Sequence, residues 1–179
     1  MVAFSPMSYR FTVKDYHRMS EADVFDPDDR VELFDGEVFE MAPIGSRHAE
    51  CVTELSYLFW SLVGARAKVR VQQPIQVGEL SEPQPDVALV RFDSYVKHHP
   101  LPADVLLVIE VAETSLKHDL LRKAPLYLAE GVQEAWVVDL GTGVLHVARG
   151  DTVFELRAGD SVAPLAFPDL VLEVTAILG

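Results

Sequence analysis

Apolar and polar positions alternate through residues 31–41, VELFDGEVFEM, on both sides of Asp35-Gly36. An Asp-Gly pair between two alternating runs predicts a tight β-hairpin. Ahead of it, in FTVKDYHRMSEA, Thr12 stands three residues before Asp15, the spacing of a helix cap, and a short first helix is expected there. From Ser46 to Gly64 the period changes. Val52, Leu55, Leu58, Phe59 and Leu62 recur at helical intervals, which predicts a long amphipathic helix with Ser46 as cap and Gly64 as stop. Residues 67–77 and the DVALVRF segment after Pro85 read as strands, with 78–85 as the loop between them. The most apolar run predicts a central strand over about 104–112. A helix from about Lys117 to Glu130 follows, ending at Gly131 and kinked or shortened by Pro125. The stretch EAWVVDLGTGVLHVARGDTVFEL then reads as a meander of three strands, and its RGD at 149–151 as a turn. The order helix, hairpin, helix, strands, helix, strands indicates an α/β or α+β domain with one mixed sheet flanked by helices. Phe59, Trp60 and Trp136 are assigned to the core.

Composition narrows the class. At 179 residues, with 49% hydrophobic and 24% charged positions, the chain suits one globular domain, with disorder expected only in the first few residues. Its apolar runs fall far short of the roughly 18 residues that span a bilayer, and the first residues lack a signal-peptide pattern, so a cytoplasmic location without membrane contact is expected. Cys51, the one cysteine, cannot form an internal disulfide and reads as a core residue. Fifteen Lys and Arg against 28 Asp and Glu give a formal charge of -13, which excludes a general nucleic-acid coat protein. An enzyme with one local basic groove, or with carboxylates neutralised by divalent ions, remains open.

Glu110 interrupts the central strand. A carboxylate buried there loses several kcal/mol of hydration unless something compensates it. Asp86 opens the preceding strand; if the two strands are neighbours, the acids converge into an oxygen-rich site suited to Mg²⁺. Lys123, four residues after Asp119, shares a helix face with it: a surface ion pair, or a cation that reaches the acids and orients an attacking water, with Asp119 as its partner. His48, in the first turn of the long helix, could contact phosphate or make a structural hydrogen bond. Gln73 and Gln84, each before a proline, could bind substrate, fix the acids or satisfy local backbone. His98-His99 lies on a predicted loop without the spacing of a zinc site. The sequence has no phosphate-cradling glycine loop, GxSxG, HExxH or paired cysteines.

Taken in order, RVELFDGEVFEM, PIGSRHAECV, QQPIQ with EPQPDVALV, and VIEVAETSLKHDLLRKAPLYLAEGVQEAWVVDL resemble the Uma2 family of endonucleases, within the PD-(D/E)XK restriction-endonuclease-like superfamily. The resemblance runs from about Tyr9 to Leu172. It implies a restriction-endonuclease-like mixed β-sheet flanked by helices, with an N-terminal helix and hairpin and a C-terminal β-meander, in one domain over 1–179. Pro85-Asp86 resembles the "PD" and Glu110-Val111-Ala112 the "(D/E)XK", with Ala112 where that motif has lysine. Lys123, in HDLLRK, matches a lysine that the Uma2 pattern places on the following helix. The implied activity is hydrolysis of phosphodiester bonds in nucleic acid, DNA above all, with Asp86, Glu110 and the carbonyl of Val111 holding Mg²⁺ or Mn²⁺ and Lys123 serving the nucleophile. Glu32, in the matching hairpin block, would support metal or water, unless it is a solvent-facing or ion-paired strand residue. Ala112 and the charge of -13 leave a second reading, a catalytically degenerate nuclease-fold protein retained as a binding or assembly module. A homodimer is expected, because the late meander offers a sheet edge that needs covering.

Overall fold

The computed structural model describes residues 8–178; the disorder expected in the first few residues falls largely outside them. Six strands form the central sheet in the order β3-β4-β5-β6-β7-β8: Lys68–Val71, Val87–Val90, Val105–Ala112, Glu134–Asp139, Val144–Arg149 and Thr152–Leu156. Only β5 and β6 run parallel. Parallel neighbours need a crossover, and the helical segment 116–129 supplies it. The hairpin β1–β2 (Val31–Phe34 and Glu37–Glu40) forms as expected, with Asp35 at φ 49° and Gly36 at φ 74°, the left-handed pair that a type I′ turn requires.

Alternation along the strands splits the core in two. One face of the sheet carries Leu89, Leu107, Ile109 and Trp136 against Leu55 and Phe59 of α2 (Ser46–Val63) and Ile177 of α5 (Val174–Leu178). The other carries Ala88, Val108, Ala112 and Val137 against Ala124 and Tyr127 of the crossover, with Ile75 and Val77. α1 (Val13–Glu21) has the predicted capping box between Thr12 and Asp15. Cys51 is buried, and burial pushes its thiol up to about 11.

Three local expectations are corrected. Gly45, not Ser46, caps α2, and Ser46 is its first helical residue. Trp60 is 73% exposed, beside Tyr57 at 74%. Consecutive helical residues point about 100° apart; Phe59 continues the buried stripe of Val52, Leu55 and Val63, and Trp60 turns away from it. The strand expected over 67–77 stops at Val71, because Gln72 takes a left-handed backbone with φ 50° and Pro74 has no N–H for a ladder. The crossover begins at α3 (Leu116–His118), and Pro125 is absorbed without ending it: a π turn over Asp119–Lys123 leads into α4 (Ala124–Ala129). The short strands β9 (Ser161–Val162) and β10 (Leu172–Glu173), and α5 after them, extend the chain beyond the predicted meander.

Candidate active site

Val87 pairs with Ile109 and Ala88 with Val108, so one further step along the ladder sets Asp86 beside Glu110. Both acids leave the sheet toward the crossover, on the face of Ala88, Val108 and Ala112, and both line a cleft of about 320 Å³. Asp119 and Lys123 bound the same cleft from the π turn, Glu32 from β1 and His48 from the first turn of α2. Thus five elements bring together residues spread over about ninety positions.

Each side chain has a definable task. Asp86 Oδ2 accepts from the backbone N–H of Val111 at 2.8 Å and lies 3.1 Å from His48 Nε2, while Oδ1 accepts from Gln72 Nε2 at 3.2 Å. Glu110, 4% exposed, accepts from the hydroxyl of Tyr127 at 2.6 Å and lies 3.5 Å from Lys123 Nζ. Lys123, 6% exposed, is 3.1 Å from Glu32 Oε1. Glu32 Oε2 in turn accepts the backbone N–H of Gln84 at 3.0 Å, so Glu32 holds the ammonium in place. Asp119, four residues before Lys123, instead accepts from the Ser115 hydroxyl.

Burial pushes the Glu110 carboxyl up to about 8; Lys123 pulls it down, while Asp119 and Asp86 push it further up. Asp119 rises to about 6, again mainly through burial. Burial would discharge Lys123, but the fields of Glu110, Glu32 and Asp119 outweigh it and hold the ammonium above its ordinary range. The hydrogen bond to Asp86 raises His48 against the opposing effect of burial. His48 Nδ1 is buried and has no hydrogen-bond partner among the described residues.

Four buried carboxylates, Glu32, Asp86, Glu110 and Asp119, therefore face one buried ammonium. Hard oxygen donors in surplus over cations fit Mg²⁺ or Mn²⁺. In this arrangement Glu110 is engaged by Lys123 and Tyr127, and among the described residues the cleft acids do not close into a three-donor group within 4.8 Å.

Of the residues singled out in the sequence, Glu32, His48, Gln84, Asp86, Glu110, Val111, Asp119 and Lys123 all line the cleft. Gln73 does not: it is exposed, and Gln72, turned inward by its left-handed backbone, bonds Asp86 instead. Gln84 directs its side-chain amide to the carbonyl of Val31 at 2.9 Å. Sequence reasoning missed Gln72 and Tyr127. Tyr127 had a readable signal, since Asp119, Lys123 and Tyr127 recur every four residues on one helical face.

A mixed six-stranded sheet flanked by helices, with acids at the ends of two adjoining strands and a lysine over them, defines a restriction-endonuclease-like domain. The Uma2 family model, described as "putative restriction endonuclease", matches residues 13–175, and the chain belongs to that family. Among solved structures, a protein described as "a putative nuclease belonging to DUF820 from Anabaena variabilis ATCC 29413" shares the fold. It has a TM-score of 0.75 at 14% identity, covering 94% of this chain and 97% of the other. No curated protein matches the sequence significantly. Family membership supports a nuclease-like function with nucleic acid as substrate, in a family class that generally uses divalent metals. Among the described residues, no helix is long and apolar enough to cross a membrane.

Proposed function

We propose that this protein is a divalent-metal-dependent endonuclease that hydrolyses phosphodiester bonds in DNA, acting in the cytoplasm as a single domain over 1–179. The convergence of Asp86, Glu110 and Lys123 on one cleft carries this reading. Asp86, Glu110 and the carbonyl of Val111 would hold Mg²⁺ or Mn²⁺. Such an ion, when bound, would lower the pKa of a coordinated water and stabilise charge developing on the phosphate. Lys123 keeps its charge between Glu32 and Glu110, and the donors it does not use there can orient the attacking water or bind a phosphate oxygen. Tyr127 fixes the rotamer of Glu110, and Gln72 and the Val111 N–H fix that of Asp86. His48, with Nε2 3.1 Å from Asp86 Oδ2, holds that acid from the α2 side.

Ala112 favours the second reading, a degenerate binding or assembly module. It is fully buried under the crossover and leaves that position of the strand without a cation. Residues 110 and 112 share a face of the strand, however, and Lys123 brings its ammonium to that face from the helix above. We further propose a homodimer formed through the exposed edge of β8.

Nicking of supercoiled plasmid and cleavage of linear duplex, with RNA in parallel, test the assignment in Mg²⁺, Mn²⁺ and EDTA. The expected result is metal-dependent DNA cleavage that falls on the order of 100-fold or more in Glu110→Gln and in Lys123→Met. Cleavage unchanged in folded Glu110→Gln, or absent from the wild type with every metal, would sink the nuclease reading; the latter leaves the module.

A further inference from the structure

Away from the acid cleft, three side chains far apart in sequence converge: His17 on α1, Glu82 in the loop before β4 and His99 in the loop before β5. One donor atom of each lies within 4.8 Å of the other two. His17 Nε2 stands 2.9 and 2.8 Å from the two oxygens of Glu82, and His99 Nε2 stands 3.9 Å from Glu82 Oε1. We propose that His17, Glu82 and His99 form a second metal site, built for zinc or a similar borderline transition ion, that pins α1 and both loops to the sheet.

The donor set selects the ion. Two imidazole nitrogens and one carboxylate oxygen suit Zn²⁺, whereas Mg²⁺ seeks oxygen ligands alone and keeps its waters. Tetrahedral ligands at about 2.0–2.1 Å from zinc stand roughly 3.4 Å from one another. The two separations from Glu82, 2.8 and 3.9 Å, bracket that value, and the two imidazole donors lie within 4.8 Å of each other.

Glu82 is the anchor. It is 4% exposed, and its backbone N–H is fixed to the carbonyl of Leu33 at 2.8 Å. Among the described residues no Lys or Arg pairs with its carboxylate, which meets only the two imidazoles. A buried carboxylate so placed gains from a cation between it and neutral imidazoles. His17 and His99 open onto a separate cleft of about 860 Å³, lined also by Gln76 and Tyr95, which leaves a fourth position for water or another ligand. None of the three residues lines the acid cleft. The site also has a structural use: α1 is fastened to the loop by the bond from Val13 N to Glu79 O at 2.8 Å, and a metal adds a cross-link a few residues along.

Titration of Zn²⁺ alone into the full chain tests this, using wild type, His17→Ala, His99→Gln and the double variant Asp86→Asn/Glu110→Gln. The double variant disables the acid cleft and is expected to retain one zinc equivalent. With Co²⁺ in its place, it should show the visible absorption of a four-coordinate nitrogen and oxygen complex. Each histidine variant is expected to lose that equivalent, or to bind it more weakly by more than the roughly 10–100-fold that loss of an outer-shell partner costs. His17 is half exposed, so its replacement leaves the fold intact, and circular dichroism confirms this. Zinc should raise the Tm of the double variant but not of the same double variant carrying His17→Ala as well. Zinc bound equally well by both histidine variants, zinc lost from a folded double variant, or no zinc bound by the wild type would each overturn the proposal.

Discussion

Two buried acids in adjoining strands show how neighbours decide a carboxylate's role. Glu134, fully buried on β6, accepts from Trp136 Nε1 at 2.8 Å, Arg149 Nε at 2.7 Å and the N–H of Leu165 at 2.6 Å. Its hydrogen-bonding capacity is filled by structure. Glu110 has one hydroxyl and a lysine at 3.5 Å, and burial lifts its pKa from 4.5 to about 8. The folded protein therefore binds this proton more tightly than the unfolded chain does. That contribution to stability is complete below pH 4.5 and is lost as pH rises through about 8. In EDTA, the metal-free protein is expected to lose on the order of a few kcal/mol across this window, and Glu110→Gln should flatten the loss. Urea unfolding at stepped pH measures both curves; parallel curves would show that another group titrates. Asp119, raised to about 6, adds a loss of the same sign at lower pH.

At the scale of elements, the hairpin and the crossover are placed by features of opposite kinds. The hairpin depends on backbone freedom at Gly36, whose φ is 74° and where an added Cβ would stand 2.6 Å from the Cβ of Arg10. It docks through the bonds from Glu82 N to Leu33 O and from Gly36 N to Leu80 O, and so sets Glu32 against Lys123. Gly36→Ala is expected to cost more than about 1 kcal/mol, read as a lower Tm. The crossover depends on a restriction. Proline cannot supply the N–H that an α-helix needs at position 125, and the π turn over Asp119–Lys123 sits directly before it. π turns insert a residue into a helix and re-aim its face; here Asp119 and Lys123 are both turned inward.

For the whole molecule, a charge of -13 means that association with nucleic acid must rest on local groups and bound cations rather than on the average surface. The sheet leaves β8 as an open edge, with Val153 on it 59% exposed. Exposed edges invite strand addition, and a two-fold axis beside β8 would join two sheets. Sedimentation equilibrium is expected to give twice the chain mass, falling to one chain in Val153→Lys. A single-chain mass for the wild type at micromolar concentration would dismiss the dimer.

Local chemistry determined the elements. The Thr12 and Asp15 capping box, the Asp35-Gly36 turn, the helical period of α2 and the apolar run of β5 act over a few residues, so the sequence alone made them legible. The pairing of Asp86 with Glu110 was legible only on condition that their strands adjoin, and Lys123 only as one member of a helical pair. Gln72 was hidden because a single left-handed residue reverses which of two glutamines faces the cleft. Trp60 was misassigned because hydrophobicity does not say which side of a helix faces solvent. The cluster of His17, Glu82 and His99 has no sequence spacing at all. Tertiary structure alone decided such groupings, because strand register and helix docking, rather than distance along the chain, set which side chains share a cavity.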